Sequence, residues 1–510
     1  MDNYNAIVID WVTLRNNVLN ISGYVHINKS IVAVCNGKKF HPDSFNYPTR
    51  NNNIVSNFDF KIPINEDSRI VLEVDGELNN KIEFRNICHL SELSSYYVQG
   101  DKIVYFDGTF NVVSYSYVKM FKLEVKDLFR ILFSHESFML QSMFYRVLFL
   151  VLYPLMRNRK IWLIIDRKNM ADDNAEHFFK YAINQNDGIS KYFAICEESD
   201  DYARLSNQYG NILKYGSFKH KFYYSFAEKI ISSQGSEFYL NPFRIGNPKL
   251  TAGISHTDFY FIQHGIIKDN MSTWLRKYDR NPKLIVTSND LEYESLFDEG
   301  YFYDHEVIQI LGLPRYDNLE NDYLNKKQII IMPSWRNYLN DRETFLNSEF
   351  FKRFNSLINN EKLIDYASDN NYDIIFKPHP EFNRFLDLFD KNYYVRFGYN
   401  RKYQDLFNDS SLLITDYSSV FFDFAYLKKP VIYYHYGIDY HYNSENGYFN
   451  YDTMGFGDVV ESEDELVEKI IDYINKDCEM EEVYKKRVDD FFKFRDRNNS
   501  KRCYDWIYNH

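Results

Sequence analysis

From Ile161 onward the sequence repeats one local pattern: a short apolar run, a polar turn, then a stretch with helical spacing. Ile161–Ile165, Tyr192–Ile195, Lys229–Ser232, Phe259–Ile262 and Leu284–Thr287 form a first set; Gln328–Met332, Asp373–Phe376, Leu412–Ile414 and Val431–Tyr434 form a second. Parallel neighbours need a crossover long enough to hold a helix, so strands alternating with helices predict a parallel sheet covered by helices. Two sets predict two α/β halves, over residues 160–310 and 311–475. Ligands of open parallel sheets sit at the carboxyl edge of the strands, so the residues that follow each run are the first candidates for a site.

Three of these loops stand out. Leu412–Ile414 runs into Thr415-Asp416-Tyr417-Ser418-Ser419 and then a helix to about Lys428. Hydroxyls and free N–H groups at a helix N-terminus favour an anion such as phosphate, and one serine can cap the helix while other groups face a ligand. Asp423 follows Ser419 by four residues, one helical turn on, and is placed to reach the same ligand, at ribose hydroxyls, or to face solvent. The second loop is Lys377-Pro378-His379-Pro380, in which two prolines restrict the backbone around one imidazole. The third is Gln263-His264-Gly265; a histidine at a strand end suits general-base work, and the glycine lets a substrate approach the backbone. A lone histidine is more often structural, and only the company of the other loops points this one to chemistry. Arg336 in Pro333-Ser334-Trp335-Arg336-Asn337 offers a planar fork for phosphate, or a surface charge with its stem on Trp335.

Residues 1–115 alternate apolar and polar positions in short runs such as Val18–Val25 and Arg69–Val74, divided by Asn36-Gly37 and Asp75-Gly76. That is the pattern of a small antiparallel β domain, and it carries no acid, base or nucleophile cluster. Residues 116–159 turn helical. The apolar run Met143–Met156 is broken by Arg146 and Pro154 and falls short of the roughly 20 residues of a spanning helix. Flanked by Arg157, Arg159 and Lys160, it reads either as a helix lying in a membrane interface or as a buried interdomain helix. Residues 476–510 predict a charged C-terminal helical segment that crosses back over the first half.

A chain of 510 residues with 45% hydrophobic residues, 45 Tyr and 43 Phe has ample material for more than one core. The net charge of -12 argues against nucleic-acid binding. Cys35, Cys88, Cys196, Cys478 and Cys503 lie far apart with no CxxC pair, which predicts neither a zinc site nor a disulfide framework and suits a reducing cytosol. The Met1–Asn5 start lacks the basic and apolar parts of an export signal. No GxGxxG, Walker loop, GxSxG elbow or HExxH occurs around the loops, which disfavours oxidoreductase, P-loop NTPase, α/β-hydrolase and zincin readings; no metal and no cofactor are expected.

Taken in order, Gln263-His264-Gly265, Gly312-Leu313-Pro314-Arg315-Tyr316-Asp317, Pro333–Arg336, Lys377–Pro380 and Thr415–Ala425 resemble the CDP-glycerol glycerophosphotransferase family of teichoic-acid and capsule polymerases, over about residues 160–475. The resemblance implies a GT-B arrangement of two Rossmann-like halves, with a CDP-alditol donor in the second half and an acceptor nearer the first. By that analogy His264 is the general base, His379 binds or neutralises the donor pyrophosphate, and Arg336, Ser418 and Ser419 assist, with Lys377, Thr415 and Asp423 as further donor-binding candidates. It also implies a CDP-glycerol or related CDP-polyol donor, a lipid-linked or polymeric acceptor, and a peripheral place on the cytoplasmic face of the cell membrane, which favours the interfacial reading of the helical segment; a homo-oligomer stays open. One departure bears on the acceptor: some members carry Thr-Pro-Leu-Lys after the His-Gly pair, where this chain has Ile266-Ile267-Lys268-Asp269. Asp166-Arg167 followed by Asp172–Glu176 resembles a capsule-type branch. The alternatives are a GT-B glycosyltransferase using a nucleotide sugar and a non-enzymatic membrane-recruited scaffold.

Overall fold

The computed structural model describes all residues except 1–5, 27–28, 47–48, 51–52, 79–80, 244–245, 299, 320–326, 400 and 437–446. The Met1–Asn5 start, on which the export expectation rests, lies outside the described residues.

Up to Ser114 the chain forms two sheets whose apolar faces share one core, including Ile9, Ile21, Phe58, Phe60, Leu72, Val104 and Val112. Its hairpins follow from the turn chemistry. Asn36 and Gly37 have φ of 47° and 83°, and Asp75 and Gly76 have 52° and 84°. Those left-handed pairs are what a two-residue turn needs to match the twist of the strands it joins, Ile31–Cys35 to Lys38–Phe40 and Ser68–Val74 to Glu77–Leu78. Among the described residues the domain departs from a purely antiparallel plan where Ile7–Arg15 pairs in parallel with Ile82–Phe84.

Two helices follow, α1 (Tyr117–Leu132) and α2 (Met139–Met156), and form a hairpin, broken by left-handed His135 and Phe138. Arg146 explains the packing. It is fully buried: its guanidinium grips Glu124 of α1 at 2.7 Å through two nitrogens, Asp127 at 3.1 Å, Ser94 Oγ at 2.7 Å and the Leu250 carbonyl at 3.1 Å. This arginine therefore ties the hairpin to both neighbouring domains and does not face headgroups. At 18 residues α2 is also longer than the apolar run that marked it and reaches the shortest spanning length. One face of α2 is buried, while Leu140, Phe144, Val147, Val151 and Leu155, one stripe at helical spacing, stay exposed.

The first parallel sheet contains β1 (Ile161–Ile165), β2 (Ser190–Ile195), β3 (Ile212–Lys214), β4 (Lys229–Ser232), β5 (Asp258–Phe261), β6 (Leu284–Thr287) and β7 (Ile308–Ile310), in the order β3-β2-β1-β4-β5-β6-β7. The helix after β1, α3 (Asn174–Ala182), begins at Asp173. The second sheet contains β8 (Gln328–Met332), β9 (Asp373–Phe376), β10 (Arg396–Phe397), β11 (Leu412–Thr415), β12 (Val431–Tyr434) and β13 (Gly457–Val460), in the order β10-β9-β8-β11-β12-β13. Every pair is parallel, and the central strands are buried throughout because helices cover both faces. Between β11 and β12 runs the short helix α4 (Val420–Tyr426), ended by Lys428 at φ 55°. Its Phe421 and Phe422 are completely buried, each worth about 1.5–3 kcal/mol of apolar transfer.

The final helix, α5 (Asn499–Asn509), returns to the first half. Asp317 accepts from its first two N–H groups at 2.9 and 2.7 Å, Tyr504 packs on Trp162 at 5.7 Å, and Lys229 meets the Ile507 carbonyl. One core runs from β1 through α4 to α5, so the two halves are joined by buried surface.

Candidate active site

Strand order fixes where the loops meet. The first sheet reverses direction between β1 and β4, the second between β8 and β11, and the crevice outside such a reversal is where a ligand fits. The loops after β1, β5, β8, β9 and β11 carry Arg167, His264, Trp335, His379 and Ser418-Ser419. A cleft of about 260 Å³ between the halves is lined by His264, Gly265 and Lys268 on one side and by Ser334, Trp335, His379, Tyr417, Ser418 and Ser419 on the other. Among the described residues no group of His, Cys, Asp and Glu side chains is arranged to hold a metal ion.

His264 is aimed by the residue before it. Gln263 has φ 62°, a left-handed conformation that costs a non-glycine residue about 1–3 kcal/mol unless its surroundings impose it. Here they do. The buried Gln263 amide donates to the Val286 carbonyl at 2.7 Å and to Glu292 at 3.0 Å, Asn174 donates to the Gln263 carbonyl at 2.6 Å, and Glu292 also takes the Ile267 N–H at 2.8 Å. The backbone thereby turns out of β5 and leaves the His264 side chain exposed to the cleft, while the protein crowded around it strips part of its hydration. That enclosure holds its pKa below the ordinary imidazole value; Asp173 pulls it up, and the guanidinium groups of Arg167 and Arg315 press it down. Gly265 faces the opposite half, where a Cβ would stand 3.1 Å from Ser419 Oγ, so its lack of a side chain serves the approach of the two halves.

Across the cleft, burial and then Arg167 lower His379 to about 4, so the ring is neutral at pH 7. Its Nδ1 accepts the Glu381 N–H at 3.3 Å and the ring stacks 6.0 Å from Trp335. With Nδ1 accepting, the neutral tautomer carries its proton on Nε2, a hydrogen-bond donor. Neither serine caps α4 through its side chain, and both line the cleft. The expected sharing between cap and ligand is therefore not used.

Four other expected donor-site residues are turned to structural partners. Arg336 is buried in an ion pair with Asp416 at 2.8 Å and bonds Ser334 Oγ at 2.6 Å; Asp416 in turn takes the N–H groups of Ser334 and Tyr417 at 2.8 and 2.7 Å. The Arg336–Asp416 clasp ties the β8 loop to the β11 loop. Lys377 donates to the carbonyls of Gly398 and Arg401 at 3.0 and 2.9 Å; burial and then Arg401 lower its pKa to about 8. Thr415 Oγ1 donates to the Met332 carbonyl at 2.7 Å. Asp423 is buried and takes a forked pair of bonds from Arg315 at 2.5 and 2.8 Å.

Arg315 is the residue that reading loop by loop missed. Besides Asp423 it binds Asp173 at 2.7 Å and the His264 carbonyl at 2.5 Å, joining the second half to the backbone of the candidate base. Its signal was present in Gly312–Asp317, a motif quoted with no role for the arginine. Asp173, Lys268, Trp335 and Tyr417 were likewise unassigned.

Comparisons with known proteins converge on this architecture. The minor teichoic acid biosynthesis protein GgaB of Bacillus subtilis (strain 168) is 46% identical over 363 residues, covering 69% of this chain and 40% of GgaB. The teichoic acid ribitol-phosphate polymerase TarL of Staphylococcus aureus (strain NCTC 8325 / PS 47) is 31% identical over 222 residues, 43% of this chain and 36% of TarL. The chain thus spans less than half the length of these relatives. Solved structures of the wall teichoic acid polymerase TagF share the fold at 19% identity and a TM-score of 0.57, over 75% of this chain and 98% of TagF. The family model described as CDP-Glycerol:Poly(glycerophosphate) glycerophosphotransferase matches residues 143–509, from within α2 to the end of α5. The chain, a GT-B-like pair of halves behind a β domain, belongs to that CDP-glycerol glycerophosphotransferase family.

Proposed function

We propose that the protein moves a polyol phosphate, glycerol phosphate first among the candidates, from a CDP-polyol to a hydroxyl of a lipid-linked or polymeric acceptor, releasing CMP. One arrangement carries this reading: His264 of the first half faces His379, Ser418 and Ser419 of the second across a single cleft. Family membership supports the donor class.

In this reaction His264, kept neutral by its enclosure, takes the proton of the acceptor hydroxyl. The oxygen attacks the β-phosphorus, a new P–O bond forms, and the bond to the oxygen bridging the α-phosphorus breaks with its electron pair leaving on CMP. Phosphoryl transfer asks a protein mainly for alignment and charge stabilisation. The His379 Nε2–H and the hydroxyls of Ser418 and Ser419 are aimed donors for the diphosphate. Arg336, Lys377, Thr415 and Asp423 act one layer back, fixing the loops that present those donors.

The proposal places the enzyme peripherally on the cytoplasmic face of the membrane. The exposed apolar stripe of α2, with exposed Arg157, Arg159 and Lys160 beyond its end, has the make-up of an interfacial surface that meets anionic headgroups.

The test is CMP release from a panel of CDP-polyols by purified protein with cell-derived acceptor. His264→Ala should lower turnover by about 10²–10⁴-fold while donor affinity stays within a few-fold. A glycoside product with a nucleoside diphosphate released identifies a glycosyltransferase instead, and no CMP from any CDP-polyol sinks the proposal.

A further inference from the structure

Arg167 follows β1 at the reversal point of the first sheet, next to Asp166, whose buried carboxylate takes the N–H groups of Asp173, Ala175 and Glu176 at 3.2, 2.9 and 3.1 Å. That clamp fixes the turn on which the arginine stands. Arg167 thus stands at the carboxyl edge that also carries His264, opposite the edge that carries His379, and its positive charge presses down on both imidazoles.

What sets Arg167 apart is that it is uncommitted. Arg315 is spent on Asp423, Asp173 and a carbonyl, Arg336 on Asp416, Lys268 on Asp269 at 2.7 Å, and Lys377 on backbone carbonyls. Among the described residues Arg167 has no side-chain hydrogen bond and no ion pair, and it is only partly exposed. A partly buried guanidinium without a partner is unfavourable until an anion arrives, and its planar fork matches two oxygens of a phosphoryl group.

We propose that Arg167 grips the non-bridging oxygens of the phosphoryl group in flight, between the attacking oxygen at His264 and the departing CMP on the side of His379. The inference rests on the transferase reading above and adds the cation that reading lacks. Charge that builds on those oxygens as the bond to the α-phosphate opens is met by the fork, while the proton goes to His264 and the electron pair leaves with CMP.

The experiment compares wild type with Arg167→Met and Arg167→Lys, using CDP-glycerol, CMP and acceptor. CMP lacks the transferred phosphate, so both variants should bind it within about twofold of wild type, which also shows that the site is folded. The kcat for CMP release should fall about 10²–10³-fold in Arg167→Met at saturating donor and acceptor, with Arg167→Lys in between. The acid limb of kcat/KM should move to higher pH in Arg167→Met, since removing a positive charge beside His264 raises its pKa, Arg315 and Asp173 being unchanged. A kcat near wild type overturns the inference. Weakened CMP binding places the arginine on the α-phosphate instead, and a raised acceptor KM with kcat intact places it on a phosphate of the acceptor; each result refutes the assignment. If wild type itself releases no CMP, the transferase reading has failed rather than the role of Arg167.

Discussion

Replacing Arg315 by Met should cut the link between the halves and loosen the candidate base together. The side chain makes four charge-assisted bonds, two to Asp423, one to Asp173 and one to the His264 carbonyl, at 2.5–2.8 Å. Methionine keeps much of the volume and leaves Asp423, with its side chain 3% exposed, only the Tyr316 hydroxyl at 3.5 Å among the described residues. Stranding a buried charge in this way costs about 3–5 kcal/mol. Burial already pushes the Asp423 carboxyl up, and without Arg315 the folded state takes up a proton that the unfolded state, near pKa 3.9, does not. Protons bound by the native state make stability fall as pH rises, so the deficit of Arg315→Met should be larger at pH 8 than at pH 5. Urea unfolding followed by circular dichroism measures it, with Asp423→Asn and the double variant completing a cycle. The double variant should be more stable than the sum of the single losses predicts, by about 1–3 kcal/mol. Turnover should fall about 10²-fold through the loosened His264 backbone. A loss under about 1 kcal/mol, or strict additivity in the cycle, would refute the account of Arg315 as the clasp.

Asp173→Asn removes the carboxylate that raises His264, so the acid limb of kcat/KM should move to lower pH; a limb that stays put would mean that another group titrates. Arg146→Met strands the completely buried Glu124, while Asp127 keeps Arg130 at 3.1 Å, and should destabilise by about 3–5 kcal/mol in urea, with Glu124→Gln added to it restoring part of the loss. Val151→Asp with Leu155→Asp, both on the exposed stripe, should weaken flotation with anionic liposomes on the order of 1,000-fold, since each buried aliphatic chain is worth about 2 kcal/mol, and leave the urea midpoint unchanged. Equal flotation would remove α2 from the membrane surface.

The sheets were legible because strands buried on both faces must be apolar, and the breaks between them had to be turns. The Asn-Gly and Asp-Gly hairpins were legible because only such pairs accept two consecutive left-handed residues cheaply. His264, His379, Ser418 and Ser419 could be found as polar residues just past strand ends, which the parallel fold delivers to one edge. Arg336, Lys377, Thr415 and Asp423 sit at equally good positions along the chain, and their side chains go elsewhere because the partners that claim them are distant: Asp416 for Arg336, the Gly398 and Arg401 carbonyls for Lys377, the Met332 carbonyl for Thr415, Arg315 for Asp423. Asp416 held the missing clue. A carboxylate that ends an apolar strand is buried, a buried carboxylate needs a cation, and Arg336, at the end of the adjacent strand, supplies one.

The charge economy of the cleft follows from the same rule. A diphosphate brings negative charge to the mouths of two sheets, and a base beside it tends to gain a proton and stop being a base. Holding His264 below its ordinary pKa beforehand, through enclosure and two guanidinium groups, keeps it unprotonated when that charge arrives. Were Arg315 and Arg336 free to swing onto the phosphates, the loops they fasten would lose their anchors; tied to Asp423 and Asp416, they hold the His264 backbone and the Trp335 and Ser418 loops in place. Fixed donors that need not reorganise stabilise developing charge better than mobile ones. A cleft with most of its cations locked in structural pairs, and with Arg167 unpaired at its rim among the described residues, is thus suited to transferring a phosphoryl group rather than to binding an anion tightly at rest.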